Sequence, residues 1–325
     1  MHRLLRSFTS TAVAAISVFA MESFAQTPYP TKPIRMVNPF PPGGPVDVVG
    51  RPVFDRLRAS LGQPVIVDYR AGAGSIIGSE IVAKAPPDGY TFLATAGQHA
   101  INPSVYAKLP YDTLRDFAPV SMLATAPYVV ALHPSVPAAN LRALIALAKS
   151  RPGKMNFASA SPGSGFHLAG EMFKLMAGVD IVHVPYKGGA PAATALLTGE
   201  VDMMFSSTAP VLPYITSGRI RALAVTTRER FAQLPNVPTI AEAGLPGFEA
   251  QAWYGVFAPA ATPREIVLRF SEAIDRVLKT PEMRQIYAPS GLEPAGGTPQ
   301  QFSTRVVTDL QKWAKVAKAS GAKVD

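Results

Sequence analysis

Three stretches of this chain set paired or near-paired glycines between an apolar run and a helix-forming run. They are Pro42-Gly43-Gly44, Gly163-Ser164-Gly165 and Lys187-Gly188-Gly189, and Ala71-Gly72-Ala73-Gly74-Ser75 has the same character. Glycine lets backbone approach a ligand closely and accepts an unusual φ. A helix N-terminus behind it offers unpaired N–H groups and a partial positive charge. Together these form a cradle for an anion. Any one loop reads as an ordinary short strand-to-helix turn; their recurrence in one chain is what points to an anion site. Aromatic residues stand beside them. Phe40 precedes the first loop, Phe166 follows the second, Tyr186 precedes the third, and Trp253 and Tyr254 open a late apolar run. Such rings wall small-ligand sites, although each alone also reads as core.

Other chemistries fit less well. No GK[ST] follows the required glycine spacing, so no phosphate-binding loop of the nucleotide-hydrolase kind is present. No G-x-G-x-x-G joins the first apolar run to the first helix. Ser164 lies between glycines with His167 three residues on, but Pro162 breaks the G-x-S-x-G pattern. A secreted serine hydrolase using Ser164 and His167 stays as the alternative reading. His99, His133, His167 and His183 show neither H-x-H nor H-E-x-x-H spacing, so no metal is expected. His183 sits in an alternating strand and reads as structural. There is no cysteine, which removes disulfides, thiolate metal sites, a thiol nucleophile and a lipidated Cys. No cofactor is expected.

The elements that must position these loops alternate strand and helix. Strands are expected at Ile34–Phe40, Val65–Tyr69, Thr91–Thr95, Tyr128–Leu132, Met155–Ser159, Ile181–Tyr186, Val201–Phe205, Arg221–Val225 and Trp253–Ala258. Helices are expected at Val46–Leu61, Ile77–Lys84, Leu141–Lys149, Phe166–Met176, up to Thr198, Arg264–Lys279 and Gln300–Ser320. This alternation implies α/β architecture with mostly parallel sheets covered by helices. In such sheets ligands sit beyond the carboxyl ends of the strands. The stretches Asn38–Asp47 and His183–Ala192 echo each other: apolar strand, Pro, Gly-Gly, Pro near a helix start. One such loop per lobe gives a two-lobed protein. A chain of 325 residues, 48% apolar, has the length and core for it.

Residues 1–25 read as a secretory leader: Arg3 and Arg6, an apolar run from Ala12 to Met21, and a small-x-small site before Gln26. The run is short for a membrane span. Cleavage near Ala25 leaves an exported protein, most simply periplasmic, where NAD is rarely met. Removing Arg3, Arg6 and Glu22 takes one unit from the net charge of +9, leaving +8. The basic residues are scattered among acids, so nucleic acid is not an expected partner, while the diffuse positive field favours small anions.

At the runs YPTKPIRMVNPFPPGGPVD, AGAGSIIG, PPDGYTFLAT, INPSVY, HLAGEMFK, VPYKGGAPA, RALAVTTRERFAQLPNVPTIAEAG and WYGVFAPAATP, the chain resembles the substrate-binding proteins of tripartite tricarboxylate transporters, the Bug-type receptors. The resemblance covers essentially the whole mature chain. It implies a two-lobed periplasmic binding protein of type II with its ligand in the interlobe cleft, and no enzymatic activity. Lobe one would be residues 26–124 and 248–325, lobe two residues 125–247. The ligand would be a small carboxylate, the partners integral-membrane permease subunits, and the receptor a monomer. By motif position the resemblance points to Phe40, Pro42, Gly43, Gly44, Asp47, Ala73 and Thr95 in lobe one. In lobe two it points to Ser159, Ser164, Phe166, His167, Tyr186, Lys187, Gly188, Gly189 and Ser206. A receptor that passes occupancy to a signalling partner fits the same motifs.

The departures from the family pattern bear on the ligand. Many relatives carry Asp at the position of Ser206, where it can meet an ammonium group, so an amino acid is disfavoured. Ser161 and Ser75 stand where Gly is common. Phe166 stands where a small or polar residue is common. An added ring and a missing acid lean toward a ring-bearing or apolar carboxylate.

Overall fold

The computed structural model of the protein describes residues 29–324, and the expected leader lies outside the described residues. The elements run β1 (Ile34–Asn38), α1 (Pro45–Leu61), β2 (Val65–Tyr69), a 3-10 turn (Ala73–Ser75), α2 (Ile76–Ala83), β3 (Thr91–Ala96), α3 (Gln98–Val105) and β4 (Phe117–Leu132). There follow α4 (Leu141–Ser150), β5 (Asn156–Ser159), α5 (Gly165–Ala177), β6 (Val182–Pro185), α6 (Gly189–Thr198), β7 (Met203–Ser207), α7 (Leu212–Thr216) and β8 (Arg221–Val225). The chain ends with β9 (Gln251–Pro259), α8 (Arg264–Leu278), α9 (Pro281–Tyr287), β10 (Glu293–Gly296) and α10 (Pro299–Ser320).

One strand serves two sheets. The first part of β4, Phe117 to Pro127, pairs with β9, and Met122 to Thr125 also pairs with β10. Its last five residues, Tyr128 to Leu132, pair instead with β7, and part of that run pairs with β8. The first sheet therefore runs β2-β1-β3-β9-β4-β10 and the second β8-β4-β7-β5-β6. The return crossing lies beside the outgoing one. Thr226 N–H donates to Tyr128 O at 3.0 Å, and Ala250 N–H donates to Thr226 O at 2.9 Å.

The sheets are mixed, which corrects the expectation of mostly parallel pairing. β1, β2 and β3 are mutually parallel, as are β5, β6 and β7, but every pairing made by β4 and β9 is antiparallel. A chain that crosses to a second sheet and later returns lays its two crossing strands side by side in opposite directions. The first half of β4 was missed because Ala118, Pro119 and Ser121 interrupt its apolar pattern. Strand pairing on both edges holds it extended nonetheless.

Helices cover both faces. α1 and α8 bury Val49, Val53, Phe54, Leu57, Phe270 and Ile274 against one face of the first sheet. α2, α3 and α10 cover the other face over Val37, Leu93, Trp253 and Phe257, against which α10 packs Phe302. α6 and α7 pack Ala192, Ala193, Leu196 and Val211 on the second sheet. α10 starts from a complete capping box, Thr298 with Gln301, and has Pro at its first position. The early α3 was not anticipated because Pro103 lies inside it. Proline cannot donate to the carbonyl four residues back, and Thr113 Oγ1 supplies the missing donor to His99 O at 3.2 Å.

Candidate functional site

Each glycine-rich loop leaves the carboxyl end of a parallel strand. The first joins β1 to α1. Gly43 takes φ +73°, and its N–H donates to Asp47 Oδ2 at 2.8 Å. Asp47 Oδ1 accepts the Tyr69 hydroxyl at 2.6 Å and pairs with Arg51 at 3.2 Å. Burial pushes this carboxyl up, but the Tyr69 and Gly43 hydrogen bonds and the Arg51 charge prevail and hold it below its usual range. The carboxylate of Asp47 thus faces its own loop and fixes that loop's shape. The first turn of α1 has no side-chain cap, with Gly44 at the N-cap and Pro45 at N1. Phe40 is half-buried beside it, its N–H held by Asn38 Oδ1 at 3.0 Å, and Pro42 is exposed.

The second loop joins β5 to α5. Ser164 caps α5, accepting His167 N–H at 3.3 Å, and donates to Ser161 O at 2.8 Å. Gly163 N–H donates to His167 Nδ1 at 3.1 Å. The serine hydroxyl and the imidazole therefore serve backbone groups and not each other, so the nucleophile–base pair of a hydrolase is not formed. Ser159 is fully buried; its hydroxyl lies 3.1 Å from Ser161 O and 2.7 Å from His183 Nε2. The imidazoles of His167 and His183 stack with centroids 3.8 Å apart. Burial, with the nearby Lys174 charge, lowers His167 to about 4. Burial, with His167 and Lys174, lowers His183 to about 3. Phe166 meets Tyr128 edge-on at 4.7 Å.

The third loop joins β6 to α6. It is tied to the second by Tyr186 N–H to Ser159 O at 3.0 Å and Gly188 N–H to Ala160 O at 2.8 Å. Gly188 takes φ +115°, and α6 begins at Gly189 without a side-chain cap. Lys187 is exposed. The Tyr186 hydroxyl donates to Glu200 at 2.8 Å, and burial with that carboxylate pushes it up to about 12.

The fourth loop precedes α2 and lies against the first. Gly78 packs its backbone on Pro39, leaving no room for a Cβ. Ala73, Gly74 and Ser75 are all left-handed, at φ +45°, +59° and +80°. The first and fourth loops thus form one group, and the second and third another. Two of the expected residues sit deeper than a contact role needs. Thr95 and Ser206 are almost wholly enclosed, and Thr95 Oγ1 has no hydrogen-bond partner among the described residues. Ser206 is paired in β7 opposite Val129.

Sequence reasoning missed the elements between the two groups. Gln98 Nε2, on α3, donates to Gly163 O at 3.1 Å, and Gly165 lies against the Tyr128 hydroxyl. Gln98 and Tyr128 stand outside the glycine-rich motifs, and α3 carries no such motif of its own. Two clefts are lined by residues outside the four loops. One of about 210 Å³ is lined by Pro127, Arg228, Glu249 and Gln251 at the crossings. One of about 510 Å³ lies between α3 and α10. Among the described residues no helix is long and apolar enough to cross a membrane.

Two mixed α/β lobes sharing one long strand, with glycine-rich helix starts facing from both, define a periplasmic binding protein fold. The chain belongs to the tripartite tricarboxylate transporter receptor family, whose profile matches residues 49–322. It is 39% identical to protein BugT of Bordetella pertussis over 319 residues, covering 96% of this chain and 98% of that protein. A protein of R. palustris solved with adipate is 38% identical with a TM-score of 0.79, over 91% of this chain and 99% of that one. MatC of Rhodopseudomonas palustris, solved with bound malate, is 31% identical with a TM-score of 0.75, over 89% of this chain and 99% of that one. Receptors of this family are periplasmic solute-binding proteins, not enzymes.

Proposed function

We propose that this protein is a periplasmic receptor that captures a small carboxylate between its lobes and delivers it to a membrane permease. The observation that carries the proposal is the pair of uncapped glycine helix starts, Gly44 on α1 and Gly189 on α6, one from each sheet. Uncapped N-termini leave donors and positive partial charge for an anion. Lobe one is assigned residues 26–124 and 248–325, lobe two residues 125–247. The support is the change of β4 partners after Pro127 and the Thr226–Ala250 contact at the return.

Contacts come from the helix starts that Gly43, Gly44, Gly188 and Gly189 shape, with Ser164 and Ala73 nearby and Phe40 and Phe166 as apolar walls. Asp47, Ser159 and His167 hold loops in shape. The Phe166–Tyr128 ring pair supports an acid with an apolar body. Malate and adipate bound to similar proteins support dicarboxylates as first candidates. Closure follows when one ligand touches both lobes.

A thermal-shift screen of the mature chain from Gln26 tests this against dicarboxylates, tricarboxylates, acidic amino acids and aromatic acids. A ligand at about 100-fold its dissociation constant adds about 2.7 kcal/mol. Gly44→Asp puts a negative charge in the cradle and removes the shift. Unchanged binding by that variant ends the anion-cradle reading, and a response to aspartate or glutamate alone ends the apolar-acid reading.

A further inference from the structure

Two amides lie one helical turn apart on α3, on the same face. Asn102 Nδ2 donates to Gly74 O at 3.0 Å and approaches Ser75 Oγ at 3.3 Å, both in the fourth loop. Gln98 Nε2 donates to Asn102 Oδ1 at 2.6 Å and to Gly163 O at 3.1 Å. A primary amide nitrogen carries two hydrogens, so Gln98 makes both bonds at once. The orientation of each amide is fixed by its partners. Gly74 O and Gly163 O only accept, so a nitrogen must face each of them.

This chain of bonds runs from a glycine loop of the first sheet to one of the second. Both ends are conformationally demanding. Residues 73–75 are left-handed throughout, two of them without being glycine. Gly163 takes φ +67°, and Val105 and Val324 crowd its Cα so closely that no side chain fits. Its N–H is already held by His167. Its carbonyl, the remaining polar group, is held from across the cleft.

We propose that Gln98, through Asn102, is a positioning residue that couples the two glycine loops, so that the shape of residues 73–75 and that of residues 163–165 stabilise each other. The coupling rests on the carboxylate-receptor reading for its use: the Gln98–Gly163 bond holds both loops in the shape that keeps a bound carboxylate. Its free energy therefore appears in ligand release and not in encounter.

Gln98→Glu and Gln98→Ala in the mature chain test it. Gln98 is only half-buried, so both variants fold. Glutamate fills the same space but has no N–H to offer. Without ligand, hydrogen exchange of the segments 73–76 and 163–168 rises about fivefold in both variants, the effect of one ordinary hydrogen bond. Faster exchange in only one segment, or in neither, overturns the coupling. With adipate as the probe, the dissociation rate of Gln98→Ala rises about fivefold and its association rate stays unchanged. A change confined to association also overturns it. A wild-type chain that binds no acid in the screen ends the receptor reading, while the exchange result still decides the coupling.

Discussion

The imidazole of His167 lies flat on that of His183, with centroids 3.8 Å apart and planes 15° from parallel. His167 Nδ1 accepts the Gly163 N–H, so its ring proton sits on Nε2, 3.8 Å from Glu171. That carboxylate is occupied by Lys174 at 3.0 Å and offers His167 little relief from burial. The groups facing the pair are Ser159, Glu171 and Lys174, together with the other imidazole. A proton added to His167 has to enter at Nδ1, where it displaces the bond that shapes the second loop.

Stability should therefore fall with acid. His167 is lowered to about 4 and His183 and His99 to about 3, from an ordinary value of 6.5, with burial first among the causes. Between these values the unfolded chain binds protons that the native chain refuses, so stability is full above pH 6.5 and is lost as pH falls toward 4. The slope reaches about 1.4 kcal/mol per pH unit for each histidine. Urea midpoints measured from pH 7.5 to 4.5 check this, and a flat profile contradicts the neutral stacked pair.

Gly165→Ala should destabilise the second loop, because its Cβ would overlap the Tyr128 hydroxyl, with the ring carbon Cζ at 3.2 Å. Tyr128 is buried against Phe166 and cannot swing away freely. Overpacking of this kind costs about 1–3 kcal/mol. Tyr128→Phe removes the hydroxyl and should recover part of that loss. Denaturation of both single variants and the double variant measures the coupling, and simple additivity would place the clash elsewhere.

Asp47→Ala should cost about 1 kcal/mol, since it removes the acceptor shared by the half-buried Tyr69 hydroxyl and the Gly43 N–H. Asp47→Asn keeps an acceptor and should lose less. If Asp47 shapes the loop and does not itself meet the ligand, calorimetry of the Asn variant shows near-normal carboxylate binding. A large affinity loss with unchanged stability would make it a contact residue.

Asp309 is a buried carboxylate on α10. It accepts Trp253 Nε1 at 2.7 Å and pairs with Arg305 at 3.1 Å and Lys312 at 2.9 Å. Arg305 also reaches Glu249 in the return crossing, which pairs with Arg228. Asp309→Ala leaves the buried indole N–H unpaired and takes one acceptor from Arg305 and Lys312, which keep Glu249, and should cost about 1–3 kcal/mol. Chemical denaturation checks it. A loss near zero would mean that the cations turn to solvent at no cost.

Local chemistry made much of this fold legible in the chain itself. Apolar runs such as Val65–Tyr69 and Arg221–Val225 match the observed strands end for end, because strand length and bounding Gly or Pro are local properties. The loops at Gly43-Gly44, Gly163-Ser164-Gly165 and Gly188-Gly189 are visible for the same reason: glycine and proline state their backbone preferences residue by residue. Pairing direction is not local. Whether β4 runs parallel or antiparallel to its neighbours depends on strands up to about 170 residues away in sequence. Nor could sequence assign side-chain partners. Asp47 turned inward to Gly43 and Tyr69, and His167 to Gly163, because each found a donor at bonding distance only after the chain had folded. Gln98 looks unremarkable among QHAINPSVY, and only folding brings its amide to the carbonyl of Gly163, 65 residues on. Tertiary structure alone decides such contacts, since a side-chain hydrogen bond depends on tenths of an ångström that no spacing along the chain encodes.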